Sequence, residues 1–296
     1  MSENVLKKLA GNVKDYMKFE TEKPITWCTG CGNFGIQNAL KRALALEGIV
    51  QKDVLFCFDV GCSGNGADKI EGYTLHGLHG RVISLAAGAA LANSDIKVIS
   101  FGGDGATFSE GPGHLIHAVR SNYPVIFVHH NNENFGLTTG QPSASTRKGV
   151  RMNAAPDGVF LEPINTMDFV LSLKPSFVAR GFSGDIDYLT EIFRKALRHD
   201  GFAYLEVLQT CPTYNRDTPE HWYAERIKHI EDAKNYDSSD IWQARKLMQD
   251  IENEIYTGVI FEDKSKVNFL RAIPNRKNAK TVLKDEVKKY SISEFL

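Results

Sequence analysis

A surplus of charge of either sign is missing from this chain. Its 296 residues carry 35 Lys and Arg against 36 Asp and Glu, a formal net charge of −1. That balance removes any global electrostatic case for nucleic acid or an anionic membrane as a partner. Long apolar runs are missing too; none approaches the roughly 20 residues of a membrane helix. The opening MSENVLKKLAGNVKDYMKF is polar and amphipathic rather than signal-like, so the expected location is cytoplasmic. Internal repeats and low-complexity segments are also absent.

Cysteine is scarce. There are five: Cys28, Cys31, Cys57, Cys62 and Cys211. In a reducing cytosol, structural disulfides explain them poorly. Cys57 lies inside the apolar run DVLFCFDV and reads as a core thiol. The other four sit beside Gly, Ser or Pro, and two of them are spaced C-x-x-C. That pattern suggests a metal or cluster site. Spacing alone allows tetrahedral zinc as readily as an iron–sulfur cluster.

What is present is an ordinary core, with 42% apolar residues. Buried-strand runs occur in DVLFCFDVG, IKVISFGGDG, YPVIFVHHNN, SFVARGF and FAYLEVLQTC. Helical periodicity fills the segments between them. In TGCGNFGIQNALKRALALEG, Ile36, Leu40 and Leu44 share a face and Gly48 marks the stop. In GPGHLIHAVRSN the expected inner face is Leu115, Ile116 and Val119. A capped helix is expected across SSDIWQARKLMQDIENEIYTG, residues 238–258, followed by VIFED and a basic tail. Strands alternating with helices predict an α/β fold, a mostly parallel sheet with helices on both faces. Ligands bind such folds beyond the carboxyl ends of the strands. GCSG, GGDG and HHNN all fall there.

Asp104 and Asn132 are 28 residues apart, one strand–helix–strand unit. A carboxylate and an amide carbonyl are hard oxygen ligands, suited to Mg²⁺ or Ca²⁺. Gly102, Gly103 and Gly105 let a diphosphate approach the backbone. A helix starting near Gly111 is expected to turn its N–H groups toward that charge. The pattern reads as a site for a metal-bridged diphosphate.

GDG followed after just under thirty residues by NN resembles the thiamine-diphosphate motif. The resemblance implies Asp104 and Asn132 on Mg²⁺, with the main-chain carbonyl of Asn134 as a further ligand. The motifs WCTGCG, VGCSG, HGLHGR, GGDG, NNENFGLTTGQPS and QTCPTYN resemble, in order, those of 2-oxoacid:ferredoxin oxidoreductase β subunits, over roughly residues 20 to 225. That family implies a thiamine-diphosphate-binding fold and one [4Fe–4S] cluster on Cys28, Cys31, Cys62 and Cys211. The chain changes character from about residue 235, so residues 1–234 are expected to form the diphosphate-binding domain with its cluster and 235–296 a C-terminal helical and basic extension.

The same resemblance places His79, Gly80 and Arg81 beside the cofactor, with His79 and Arg81 as catalytic candidates. Gly103, Gly105, Thr138 and Gln141 are expected near diphosphate or substrate. His76 is a weaker candidate, and His114 and His117 read as structural. Trp27 would shield the cluster. Some relatives carry a basic residue three positions after the GCSG cysteine; here it is Asn65, with Lys69 further on.

The implied reaction is coenzyme A-dependent oxidative decarboxylation of a 2-oxoacid, 2-oxoglutarate or pyruvate, with electrons passing to ferredoxin. Thiamine enzymes also need a glutamate from a pyrimidine-binding domain. This chain has room for one thiamine-type domain, so a partner α subunit is expected, as αβ or α2β2. The competing readings are another thiamine-diphosphate enzyme (an indolepyruvate oxidoreductase or a non-redox decarboxylase) and a non-catalytic zinc-stabilised α/β module. From Lys264 to Lys289 the tail holds nine Lys or Arg and two acidic residues. It reads as a solvated face, or as a dock for an acidic ferredoxin or the α chain.

Overall fold

Five apolar segments and one exposed edge segment supply the parallel strands, and most residues between them have helical period. In the computed structural model, residues 15–250, 253–277, 279, 281–287 and 293 are described. The strands are β1 (Val54–Phe58), β2 (Tyr73–His76), β3 (Lys97–Gly103), β4 (Ile126–Asn131), β5 (Phe177–Phe182), β6 (Ala203–Leu208), β7 (Ile227–His229) and β8 (Ile255–Glu262). The main helices are α1 (Asn33–Leu46), α2 (Val82–Ala92), α3 (Pro112–Ser121), α4 (Thr166–Ser172) and α5 (Ile186–Arg198). Shorter ones follow: α6 (Glu220–Ala224), α7 (Ile241–Leu247), α8 (Phe269–Ala272) and α9 (Leu283–Val287).

One eight-stranded sheet runs in the order β2-β1-β3-β4-β6-β5-β8-β7. β1 to β6 are mutually parallel, β8 is antiparallel to β5, and β7 is parallel to β8. The expected α/β fold with a mostly parallel sheet is therefore the observed one. Alternate strand residues feed two cores. Val54, Phe56 and Phe58 of β1 pack with Ile36, Leu40 and Leu44 of α1 and Leu189 and Phe193 of α5. Leu55 and Cys57 face the other way, toward α2, α3, α4 and α7. Cys57 is thus a core thiol, pushed up to about 12 by burial. Gly48, at φ +69°, ends α1. Asp240 caps α7 by accepting the Trp242 N–H at 2.8 Å.

Three local expectations need correction. α3 buries Leu115, Ala118 and Val119, whereas Ile116 is exposed. The helix expected across 238–258 stops at Leu247, and Ile255 to Gly258 begin β8. Ile255, Thr257 and Ile260 are buried against neighbouring strands, and tertiary burial there outweighs helical periodicity. The expected helix does begin beside Gly111, which N-caps α3, but its first turn is not the one that follows the GDG loop. A π-helical segment, Gly105–Glu110, follows Asp104 directly, and Gly111 only joins it to α3. Such segments are rare and concentrate at functional sites.

Candidate functional site

The order β2-β1-β3 reverses at β1, so a crevice opens between the carboxyl ends of β1 and β3. A cavity of about 120 Å³ lies there. Of the sequence candidates, Cys62, His79, Gly103, Asp104, Gly105, Asn132, Asn134 and Thr138 line it. Two residues that sequence reasoning did not single out, His130 and Gln209, line it as well.

Asp104 is 1% exposed. Its Oδ2 accepts hydrogen bonds from Ser143 Oγ and, at 2.9 Å, from Ser145 Oγ. Its Oδ1 is buried and has no protein partner. Burial pushes the carboxyl up to about 7, although the two serine hydroxyls pull the other way. An acceptor in that state suits a cation, which would hold the carboxylate ionised. The serines come from QPSAST, whose hydroxyls carry no motif of their own.

After β4 the chain turns at Glu133, whose φ of +57° is left-handed. Asn134 N donates to Asn132 Oδ1 at 3.2 Å, and Asn134 Nδ2 donates to Asn132 O at 2.8 Å. Glu133 is anchored by Arg147 at 3.1 Å. The turn therefore brings Asn132 and Asn134 to the same cavity as Asp104.

The cysteine turns meet this loop. Cys31 N donates to Cys28 O at 3.0 Å, and Gly32 N donates to Thr210 O at 3.1 Å, tying the C-x-x-C turn to the segment before Cys211. Gln209 Nε2 donates to Cys31 Sγ at 3.5 Å. Cys211 Sγ lies 4.0 Å from Asn134 Oδ1. A Cβ on Gly136 would stand 3.2 Å from both Cys62 Sγ and Asn134 Oδ1. Asn215, paired with Cys211, donates to Asn132 O at 3.2 Å. Burial pushes the Cys62 thiol up to about 12, and the charges of Cys31, Cys211, Cys28 and Asp104 push the same way. The four thiols thus share one field. Among the described residues, no three His, Cys, Asp or Glu side chains gather round a single ion position. Trp27 Nε1 donates to Cys62 O at 2.8 Å and its ring packs edge-on to Phe34, over the cysteine loop.

Around the rim, His79 stands edge-on to Phe135, ring centroids 6.0 Å apart. Gly80 and Arg81 lie outside the cavity lining. Gly80, at φ +68°, donates its N–H to Asp59 Oδ1 at 2.9 Å, and a Cβ there would meet Glu110 Cβ at 2.6 Å. The Arg81 guanidinium donates to Gly80 O and Glu110 O at 3.2 and 3.0 Å, closing the π-helical segment. Asp59, 1% exposed, holds the loop through the N–H groups of Val60, Gly80 and Val82. It sits one residue past β1, and no spacing marks it. Thr138 is on the rim, bonded to Gln141, which does not line the cavity. His76 bonds Asp59 O at 3.0 Å. Asn65 sits in the turn after Cys62 and is not part of the lining.

The chain is similar to known proteins over most of its length. Residues 59–207 match the thiamine pyrophosphate enzyme C-terminal TPP-binding domain, and residues 211–278 match the C-terminal region of the pyruvate ferredoxin oxidoreductase β chain. The chain is 38% identical over 215 residues to a 2-oxoacid:ferredoxin oxidoreductase subunit β of Sulfolobus sp., covering 71% of this chain and 70% of that one. It is 31% identical to a 2-oxoglutarate synthase subunit of Archaeoglobus fulgidus, over 74% and 79% of the two chains. Its fold is similar to 2-oxoglutarate:ferredoxin oxidoreductase from Magnetococcus marinus, solved with 2-oxoglutarate, coenzyme A and succinyl-CoA bound. There the TM-score is 0.84 at 30% identity, over 95% of this chain and 94% of that one.

Proposed function

The chain belongs to the family of 2-oxoacid:ferredoxin oxidoreductase β subunits, and we propose that it holds the diphosphate end of thiamine diphosphate beside one [4Fe–4S] cluster. It is one subunit of an enzyme for coenzyme A-dependent oxidative decarboxylation of a 2-oxoacid. Relatives named for 2-oxoglutarate make that acid the first substrate to test.

The observation that carries the reading is Asp104 Oδ1, a buried acceptor without a partner, on a cavity that also takes in Cys62 and the Asn132–Asn134 turn. Asp104, the Asn132 side chain and the Asn134 carbonyl form an all-oxygen donor set for Mg²⁺. Gly103 leaves the backbone open for the diphosphate, whereas Gly105 makes room for the Phe135 ring, which a Cβ there would meet at 2.3 Å. Cys28, Cys31, Cys62 and Cys211 supply four thiolates for the cluster. When bound, thiamine diphosphate supplies the carbon nucleophile and the cluster accepts electrons singly.

This chain's own residues hold and screen those groups. Burial of Asp104 keeps water from competing for the cation. Asn134 touches both halves of the site and sets their spacing. His79, held near Phe135, can exchange protons at the rim, and the Thr138 hydroxyl can reach diphosphate or substrate. Arg81 acts from behind by fixing the Gly105–Glu110 segment.

Two measurements on the anaerobic two-chain complex test the proposal. Asp104→Ala is expected to abolish Mg²⁺-dependent thiamine diphosphate binding in calorimetry while the fold survives. Iron and sulfide analysis should give about four of each per chain. Cys62→Ser or Cys211→Ser should lose them and Cys57→Ala should keep them. Iron that depends on Cys57 but not on Cys211 would overturn the ligand set.

A further inference from the structure

The motif QTCPTYN carries one of the four site thiols, Cys211, and closes on Asn215. Asn215 is 2% exposed and does not line the cavity. Its main-chain N–H donates to Cys211 O at 3.1 Å, closing the turn that presents the thiol. Its side chain serves a different segment. Nδ2 donates to Asn132 O at 3.2 Å and to Glu133 Oε2 at 3.4 Å. Turning the amide over would set its oxygen against a carbonyl and a carboxylate, so the two acceptors fix its orientation.

The turn that receives this amide is one that needs support. Glu133 sits at a left-handed φ of +57°, which side chains with a β-carbon adopt rarely. Its own loop restrains it from one side. Thr146 Oγ1 donates to Glu133 O at 2.6 Å, and Arg147 Nε donates to Glu133 Oε2 at 3.1 Å. Asn215 restrains it from the cysteine segment. The carbonyl it holds belongs to Asn132, whose side chain is in the donor set for the cation. The Asn134 carbonyl, in the same set, lies two residues further along the restrained turn.

We propose that Asn215 is a positioning residue for the cation: its amide fixes the Asn132–Asn134 turn against the Cys211 turn, and affinity for Mg²⁺ with thiamine diphosphate depends on that bond. The inference rests on the functional reading above and adds to it a residue outside both ligand sets. No bond to cofactor or cluster is made or broken; Asn215 acts through the turn.

The experiment uses the anaerobic two-chain holoenzyme at about pH 8, where a carboxyl introduced at this position is ionised, with Asn215→Ala and Asn215→Asp. Both variants keep the main-chain N–H on Cys211 O, so iron and sulfide analysis should give wild-type content in each. Thiamine diphosphate Kd at fixed Mg²⁺ is read by calorimetry. Asn215→Ala deletes the donor and should weaken Kd by about threefold to tenfold. Asn215→Asp keeps the shape but sets a carboxylate against Asn132 O and Glu133, so it should weaken Kd at least as far as the Ala variant does. A packing role alone would rank them the other way, with the isosteric variant near wild type. At saturating cofactor, KM for the 2-oxoacid should stay within about twofold of wild type, because the loss is one of cofactor affinity. Wild-type Kd in both variants would overturn the proposal, and so would an Asp variant that binds better than the Ala variant. A KM that rises in step with Kd would overturn it too, as a general loosening of the site. Loss of iron in either variant would do the same, since the amide would then be serving the cysteine turn. A wild-type complex that binds no thiamine diphosphate would instead bring down the functional reading, and this inference with it.

Discussion

At the scale of single residues, burial decides which groups carry charge. His129 is fully buried and pushed down to about 4 by burial, so it is neutral near pH 7. Its 3.6 Å contact with Glu206 is then a polar contact rather than an ion pair. His130, pushed down to about 3 for the same reason, is neutral as well. Asp104 is the reverse case, a carboxyl raised from 3.8 to about 7. In cation-free protein its protonated form is therefore favoured by folding. As pH rises from about 4 to 7 the unfolded chain releases this proton first, so the folded state loses stability across that window and levels off above it. A cation must displace the same proton below about 7, costing roughly tenfold in Mg²⁺ affinity per pH unit. Calorimetric melting of cation-free protein checks the first point. The Tm advantage of Asp104→Asn over wild type should grow between pH 4.5 and 7.5. A difference that stays flat across that range would mean that Asp104 is already ionised without its cation.

At the scale of elements, the period of a strand sorts the chemistry. Along the end of β4, His129 and Asn131 point to the α4 face, and His130 points to α1. Behind the cavity, one row across three strands carries His129, Glu206 and Arg180 as register neighbours. Arg180 Nε donates to Glu206 Oε2 at 2.6 Å, with side chains 4% and 0% exposed. Asn131 Nδ2 donates to Glu206 Oε1 at 3.0 Å and accepts from Ser145, which also bonds Asp104. The network therefore braces Asp104 from behind. Arg180→Leu would strand the Glu206 charge, at a cost of about 3–5 kcal/mol. The double variant with Glu206→Leu should regain much of that in denaturant unfolding. A single variant no worse than the double would show that the pair is not coupled. The parallel strands and flanking helices were legible because buried strands are continuous apolar runs and α1 and α5 repeat every three to four residues. The four-residue edge strand β2 was not, being exposed along its whole length. Nor was α4, which is seven residues long and has too few turns for periodicity. Among site residues, Asp104, Asn132 and the cysteines carry spacing. Asp59, Ser143, Ser145, His130 and Gln209 do not, because folding alone brings them to the site.

At the scale of the whole molecule, the question is what this chain lacks for turnover. The basic tail does not answer it. Arg271, Arg276 and Lys277 line a groove with Lys97 and Ile126, which begin β3 and β4, so they lie at the amino ends of the strands, away from the cysteines. Arg271 pairs with Asp200 at 2.9 Å and Arg276 with Glu286 at 2.9 Å. Those residues fit a self-paired solvated face rather than a dock for an electron carrier; Lys280, Lys288 and Lys289 lie outside the described residues. The cavity edge differs. Its volume of about 120 Å³ is below the roughly 300–1,000 Å³ of complete ligand pockets. Beside His79, Leu78 is 78% exposed, and Val60 and Leu137 are exposed on the lining itself. An open cavity with an apolar rim fits the proposal that a second chain completes the site. In that proposal the partner chain seats the aminopyrimidine and provides its glutamate. A cofactor held between two chains implies an obligate interface of at least about 2,000 Å². This chain alone, given thiamine diphosphate, Mg²⁺ and 2-oxoglutarate or pyruvate, is therefore expected to release no CO₂ in a single-turnover assay. Adding the partner chain should restore release, with coenzyme A-dependent ferredoxin reduction. Stoichiometric CO₂ from the isolated chain, at the rate of the two-chain mixture, would mean that the site between Asp104 and the cysteine turns is already whole.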